Sequence, residues 1–176
     1  MIYEPREDSL VLVKWVNKYC RPGMKVLDIG CGSGIQGKKA LEKSCNVTFS
    51  DNSNEVLSCL KDYNPIKSNL FENIHESFDL IIFNPPYLPE DKDEPSDSKQ
   101  ICCGGENGWE LIEKFLEQAK NHLKRKGIIL MVFSSLTNKE KVNSLILKNN
   151  FIFRELEIVK LFFEELYIYE LKLLCF

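Results

Sequence analysis

Short apolar runs closed by turn-forming residues punctuate this chain. Leu80-Ile81-Ile82-Phe83, Val26-Leu27-Asp28-Ile29 and residues 128–133 lack the alternation of a half-solvated sheet. Runs of that kind predict strands buried on both faces. Between them, apolar residues return at helical spacing. Leu10, Val13, Trp15, Val16 and Tyr19 lead up to a break at Arg21-Pro22-Gly23, and Trp109, Ile112, Phe115, Leu116 and Ala119 form a second such series. Pro5, followed by Glu7 and Asp8, sets the start of the first helix, where acidic side chains suit the positive end of the macrodipole. Further helices are predicted from residue 35 to Ser44, over 53–62 and over 138–149. Val47-Thr48-Phe49 is a second strand and 66–71 a weak one. Residues 151–174 make two strands of alternating character that turn at Phe162-Phe163-Glu164-Glu165. The charged run 120–126 reads as the C-terminus of a helix.

Strands that alternate with helices imply an α/β fold: a doubly wound, mostly parallel, seven-stranded sheet with right-handed crossovers. The last two strands are joined too tightly for a crossover, so one strand near the C-terminus is expected to run antiparallel. A length of 176 residues suits a single domain over 1–176, with an N-terminal helical segment at 1–22. Residues 88–108 show no periodicity. An irregular stretch of that length predicts either a functional loop or a mobile, solvated connection.

Composition narrows the remaining classes. At 44% hydrophobic and 28% charged residues, the chain reads as a soluble globular protein. Acidic residues exceed basic ones by 26 to 23, so no general basic surface advertises nucleic acid. Seven scattered cysteines with no C-x-x-C pair fit a reducing, cytoplasmic setting, and no metal site is expected. Adjacent Cys102 and Cys103 stand apart from the others, in a polar loop. The sequence shows no signal peptide and no apolar run long enough to cross a bilayer.

The chemistry concentrates at Asn84-Pro85-Pro86-Tyr87, directly behind the run 80–83. Asn84 is then the first residue to emerge at the carboxyl end of a central strand, where open α/β sheets bind ligands. Each proline fixes its own φ and removes a donor, and Asn84 is pushed toward an extended conformation. The result is a stiff lip with two acceptors, the Asn84 side-chain oxygen and the Pro85 carbonyl, and the Tyr87 ring beside them. An NH2 group on a planar carbon suits it: two hydrogens for two acceptors, and a flat face for the ring. Taken alone, the same four residues also describe an ordinary proline-rich turn.

A second feature, Asp28-x-Gly30-x-Gly32-x-Gly34, follows the first strand. It is a nucleotide-type glycine turn, yet Ile35 stands where a dinucleotide fingerprint needs its third glycine. A carboxylate two residues before the first glycine is awkward beside a pyrophosphate and suits a cation. S-adenosylmethionine carries an ammonium and a sulfonium and no phosphate. Asp51 closes the second strand, near the roughly 20-residue spacing expected of a carboxylate that binds ribose hydroxyls.

With these motifs in place, the whole chain resembles the class I S-adenosylmethionine-dependent methyltransferases. Asn84-Pro85-Pro86-Tyr87 is similar to the motif shared by N6-adenine DNA methyltransferases and by HemK/PrmC-type glutamine methyltransferases of release factors. Tyr3-Glu4-Pro5-x-Glu7-Asp8-Ser9 and Gly104-Gly105-x-x-Gly108 resemble the short archaeal and eukaryotic branch, which methylates the Gly-Gly-Gln glutamine of class 1 release factors. The resemblance implies cofactor contacts at Ser9, Asp28, Gly30, Gly32, Gly34, Asp51, Asn69 and Leu70. It implies acceptor contacts at Asn84, Pro85, Pro86 and Tyr87, with Asn84, Pro85 and Tyr87 as the catalytic set. It also implies a small zinc-binding activator protein, adding a strand at the edge carried by 66–71. Asn69 departs from the family's usual Asp, though an Asn oxygen still accepts from an adenine amino group.

A release-factor glutamine is therefore the leading acceptor. The same lip would serve an exocyclic amine of DNA or RNA, but residues 88–108 hold six acidic residues against two lysines, which would repel a phosphate backbone. A protein lysine is a further alternative, although a lip of acceptors offers nothing to deprotonate an ammonium. The reading without catalysis is a cofactor-binding scaffold. His75 and His122 are isolated and read as surface or capping residues, and Trp15 and Trp109 as core or cleft fillers.

Overall fold

The computed structural model describes residues 5–90 and 102–174. Tyr3 and Glu4 of the N-terminal motif, and Asp91, Asp93, Glu94 and Asp97 of the irregular segment, lie outside the described residues. In chain order the elements are α1 (Glu7–Tyr19), β1 (Lys25–Ile29), α2 (Ile35–Glu42), β2 (Asn46–Asp51), α3 (Asn54–Cys59), β3 (Ile66–Lys67), β4 (Phe78–Phe83), α4 (Glu110–Ala119), β5 (Leu123–Ser134), α5 (Lys139–Lys148), β6 (Phe151–Lys160) and β7 (Glu165–Leu173).

The strands form one sheet in the order β3-β2-β1-β4-β5-β7-β6. β1 pairs with β2 and β4, β2 with β3, and β4 with β5, all in parallel. β7 pairs antiparallel with both β5 and β6, so among the described strands it alone is reversed.

The central strands are apolar on both sides because both sides are covered. Leu80 and Ile82 of β4 share a core with Val11, Leu12 and Val16 of α1 and Ala40 of α2. Ile81 and Phe83, one residue out of phase, share the opposite core with Ile112, Phe115 and Leu116 of α4 and Val142 and Ile146 of α5. Phe83 and Phe115 stack with centroids 4.1 Å apart, which pins the end of β4 where the lip begins.

Three sequence expectations need correction. Helix α1 buries Asp8, Ser9, Val11, Leu12 and Val16, while Leu10 is 58% exposed. The buried stripe is rotated from the expected one and takes in two polar residues. β3 spans Ile66–Lys67 rather than 66–71, because Leu70 adopts a positive φ of 50° that breaks the strand, and Phe71 turns into the core. Of the charged run 120–126, only Lys120, the C-cap of α4, belongs to a helix end. α4 stops at Ala119, and Leu123 opens β5 opposite Phe78, with Lys124 paired to Asp79 at 2.7 Å. No described helix is long and apolar enough to cross a membrane.

Candidate active site

The carboxyl ends of the parallel strands open on a cleft of about 970 Å³. Asp28, Gly30 and Gly32 line it from β1 and its turn, Asp51 from β2, and Asn69 and Leu70 from the segment after β3. Asn84, Pro85, Pro86 and Tyr87 line it after β4, and Ser9 reaches it from α1. Gly34 does not. It sits at the start of α2, where a Cβ would stand 3.0 Å from Leu60 and 3.3 Å from Phe49.

The turn after β1 alternates. Gly30, Gly32 and Gly34 have φ of 64°, 51° and 72°, left-handed backbone that glycine adopts without strain. This path brings the Gly32 N–H onto Asp51 Oδ2 at 3.1 Å, while Asp51 Oδ1 accepts from the Ser53 N–H at 2.9 Å. Two backbone donors thus hold the Asp51 carboxylate at the cleft. Asp28 is 3% exposed and accepts from the Gly37 N–H at 2.7 Å. Burial pushes its carboxyl up to about 7, with the Gly37 bond opposing and the Asp51 charge adding. The charged form of a carboxyl in that condition gains from a nearby cation or from further hydrogen-bond donors.

Gly37 is a residue that sequence reasoning misses. A Cβ there would stand 2.3 Å from the Phe49 ring and 2.9 Å from Asp28 Oδ2. The available signal is a glycine inside a predicted helix, three residues past Gly34. On the far side of the cleft, Ser68 Oγ donates to Leu70 O at 2.7 Å and accepts from the Asn73 N–H at 3.0 Å. These bonds fix the turn that presents Asn69 and Leu70.

The lip is built from behind. Asn84 Nδ2 donates to Asp8 Oδ2 at 3.0 Å and to Ser9 Oγ at 3.3 Å. Tyr87 Oη donates to the same Asp8 oxygen at 3.4 Å. With both Asn84 donors engaged on α1, Asn84 Oδ1 is committed as an acceptor, and it is buried with no hydrogen-bond partner. Leaving such an atom unpaired costs roughly 1–3 kcal/mol, and a substrate N–H would satisfy it. Thr137 Oγ1 donates to Tyr87 O at 2.7 Å from the turn after β5. Gly104 and Gly108 lie against the backbone of the lip. A Cβ on Gly104 would stand 2.6 Å from Pro86 O, and one on Gly108 2.5 Å from Tyr87 O.

Asp8 is the other residue that sequence reasoning misses. In the first turn of a helix it reads as a macrodipole partner, and only its burial and its reach to Asn84 reveal more. The lip is therefore not a bare pair of acceptors; a carboxylate stands one hydrogen bond behind it. His122 stacks on Phe71 at 4.6 Å, Trp15 donates to Glu157 at 2.6 Å, and neither lines the cleft. Among the described residues no group of His, Cys, Asp and Glu is arranged to hold a metal ion.

This layout is that of a class I methyltransferase, for which S-adenosylmethionine is the methyl donor, and the buried Asp28 carboxylate, which gains from a nearby cation, fits it. The chain belongs to the family described as Methyltransferase small domain, whose model matches residues 7–161. It is 36% identical to a Methanocaldococcus jannaschii protein provisionally named protein N5-glutamine methyltransferase MJ0928, over 82% of this chain and 78% of that one. It is 27% identical to the eRF1 methyltransferase catalytic subunit mtq2 of Schizosaccharomyces pombe, over 88% and 81% of the two chains. A chain of the E. cuniculi Mtq2-Trm112 complex, described as responsible for methylation of the eRF1 translation termination factor, matches with a TM-score of 0.81. The identity is 25%, covering 97% of this chain and 98% of that one. The family fixes methyl transfer as the reaction; it does not choose the acceptor.

Proposed function

We propose that this protein methylates the side-chain amide nitrogen (N5) of a protein glutamine, in the Gly-Gly-Gln segment of a class 1 release factor. The observation that carries this reading is the buried, unpartnered Asn84 Oδ1 beside Tyr87. It asks for a planar donor group, and relatives matched over most of both chains are named for glutamine or eRF1 methylation.

S-adenosylmethionine supplies a methyl carbon on a sulfonium; the amide nitrogen bonds to that carbon, the C–S bond breaks to leave S-adenosylhomocysteine, and one amide proton is released. The chain's own residues do the rest. Asp28 faces the cationic donor, Asp51 takes the ribose hydroxyls, and Ser9, Gly30, Gly32, Asn69 and Leu70 shape the pocket. Gly34 supports the turn from outside it. Asn84 Oδ1 and the Pro85 carbonyl take the two amide hydrogens, Pro86 stiffens the lip, and Tyr87 covers the flat face. An amide nitrogen is a poor nucleophile because its lone pair is delocalised, so orientation is the main lever. Tight positioning contributes on the order of 7–11 kcal/mol, and the same acceptors stabilise the positive charge that develops on nitrogen. Asp8 keeps Asn84 turned with its oxygen away from α1; a flipped amide would set NH2 against NH2.

A small activator subunit fits the same reading, since the E. cuniculi relative was solved as a complex. β3 is an edge strand of only two residues, and strand addition there would cover it. A zinc-binding activator protein is the partner proposed, and a release-factor acceptor would place the enzyme in the cytoplasm.

The test is labelled S-adenosylmethionine with purified class 1 release factor, beside DNA and RNA, using enzyme made with and without the activator. Label should enter the release factor, and Asn84→Ala should abolish it while donor affinity stays within about twofold. Label in nucleic acid and never in the release factor would overturn the proposal.

A further inference from the structure

The turn between β6 and β7 has no part in the chemistry above, yet it borders the same cleft. Leu161, Glu164 and Leu166 contribute to the cleft wall. Between them Phe162 and Phe163 stand 91% and 85% exposed, their rings packed edge to face on each other at 4.6 Å. Glu164 Oε2 is buried and has no hydrogen-bond partner. The turn is also tied to the lip. Leu161 N–H closes it on Glu164 O at 2.8 Å, and Glu165 N–H donates to Ser135 Oγ at 3.0 Å. Thr137, in the same short turn as Ser135, holds Tyr87 O. Turn and lip are therefore two walls on one frame.

We propose that this turn is the second wall of the acceptor subsite: the Glu164 carboxylate accepts from a backbone N–H of the segment flanking the methylated glutamine, and Phe162 and Phe163 pack on apolar side chains of the same polypeptide. The proposal rests on the protein-glutamine reading and sharpens it. A buried carboxylate oxygen without a donor is more costly than a neutral one and gains most from an incoming N–H. Glycine residues beside the glutamine leave their N–H groups unshielded, so a carboxylate on the wall can reach them. A phosphate meeting the same oxygen would be repelled, which favours polypeptide over nucleic acid. Two adjacent exposed aromatic rings at the rim are of the residue class that anchors protein interfaces.

The experiment compares Glu164→Ala, Glu164→Gln and the double variant Phe162→Ser/Phe163→Ser, in the full chain with its activator where one is needed. kcat and KM are measured on whole release factor and on a short Gly-Gly-Gln peptide, and donor Kd by titration. The double variant should raise KM for the whole protein by about tenfold or more, leaving kcat and donor Kd unchanged. Glu164→Ala should lower kcat/KM on both acceptors by about tenfold or more, and Glu164→Gln, whose oxygen still accepts, should recover most of it. Wild-type kcat/KM in both Glu164→Ala and the double variant overturns the proposal, as does an equal loss of donor affinity, which would make Glu164 a support of the donor site. A wild-type enzyme that labels no protein glutamine removes the underlying reading as well; an active wild type with unaffected variants removes the second wall alone.

Discussion

Replacing Asp28 with Asn should make the empty protein more stable at pH 8 and its methyl donor bind less tightly. The Asp28 carboxyl stands at about 7 against an ordinary 3.8, chiefly through burial. Its folded value lies above its unfolded one, so its contribution to stability is complete below about pH 4 and is lost as pH rises through 7. At about 1.36 kcal/mol for each tenfold change, carrying that charge costs the empty protein about 4 kcal/mol at pH 8. A sulfonium or ammonium beside the carboxylate offsets this cost, and binding then expels a proton wherever the carboxyl was protonated. Donor affinity should therefore weaken by up to about tenfold per pH unit below 7 and level off above it. Isothermal titration from pH 5.5 to 8.5, in buffers of different ionisation enthalpy, should count about one proton released at the acid end and close to none at the alkaline end. Asp28→Asn should release none at any pH, and its empty form should melt higher than wild type at pH 8. A wild-type Kd that ignores pH across this range, or wild-type affinity in Asp28→Asn, would refute the assignment.

Asp51→Ala should weaken donor binding by tenfold or more, since hydrogen bonds to a charged acceptor contribute roughly 1.5–3 kcal/mol; an unchanged Kd would reduce Asp51 to a turn residue held by Gly32 and Ser53. Gly104→Ala drives a Cβ against the backbone oxygens of Pro86 and Gly108, so kcat should fall about tenfold or more while donor affinity holds, and a normal kcat would show that the lip tolerates the shift. Gly37→Ala presses on Phe49 and Asp28 together and should lower stability by roughly 1–3 kcal/mol, read as a shifted denaturant midpoint.

The parts of this molecule that could be read from sequence are those where one residue type has one explanation. A continuous apolar run such as 80–83 needs cover on both faces, and the cores on either side of β4 supply it. Asn84, Asp28 and Asp51 could be placed at the carboxyl ends of parallel strands, because each lies at or beside the end of a readable strand. Where two explanations compete, the sequence alone favours the commoner one. Lys124, Arg125 and Lys126 suit a helix end as well as the exposed start of a long strand, and Asp79 settles the matter from elsewhere in the chain. Asp8 suits a helix N-terminus equally as dipole partner or as brace for Asn84. Helix α1 offered two overlapping apolar stripes, and the sheet it packs on selected the one carrying Asp8 and Ser9 inward. Contacts such as Gly37 with Phe49, or Gly104 with Pro86, leave no periodic trace at all.

β7 lies between β5 and β6, both of which precede it in the chain. Residues 165–173 thus leave the ribosome after the two strands they must separate. Until they arrive, β5 presents an open ladder at Ile129 to Ser134, where six residue pairs will form, and β6 has no legitimate neighbour. Direct pairing of β5 with β6 would be a trap that must be undone, and the closing contacts are distant in sequence, which slows folding and prolongs exposure of a sticky intermediate. Nascent chains of this protein should therefore depend on chaperones more than their size suggests. Cleavage or premature termination after Lys160 would remove the strand that joins β6 to the rest of the sheet, not an edge strand.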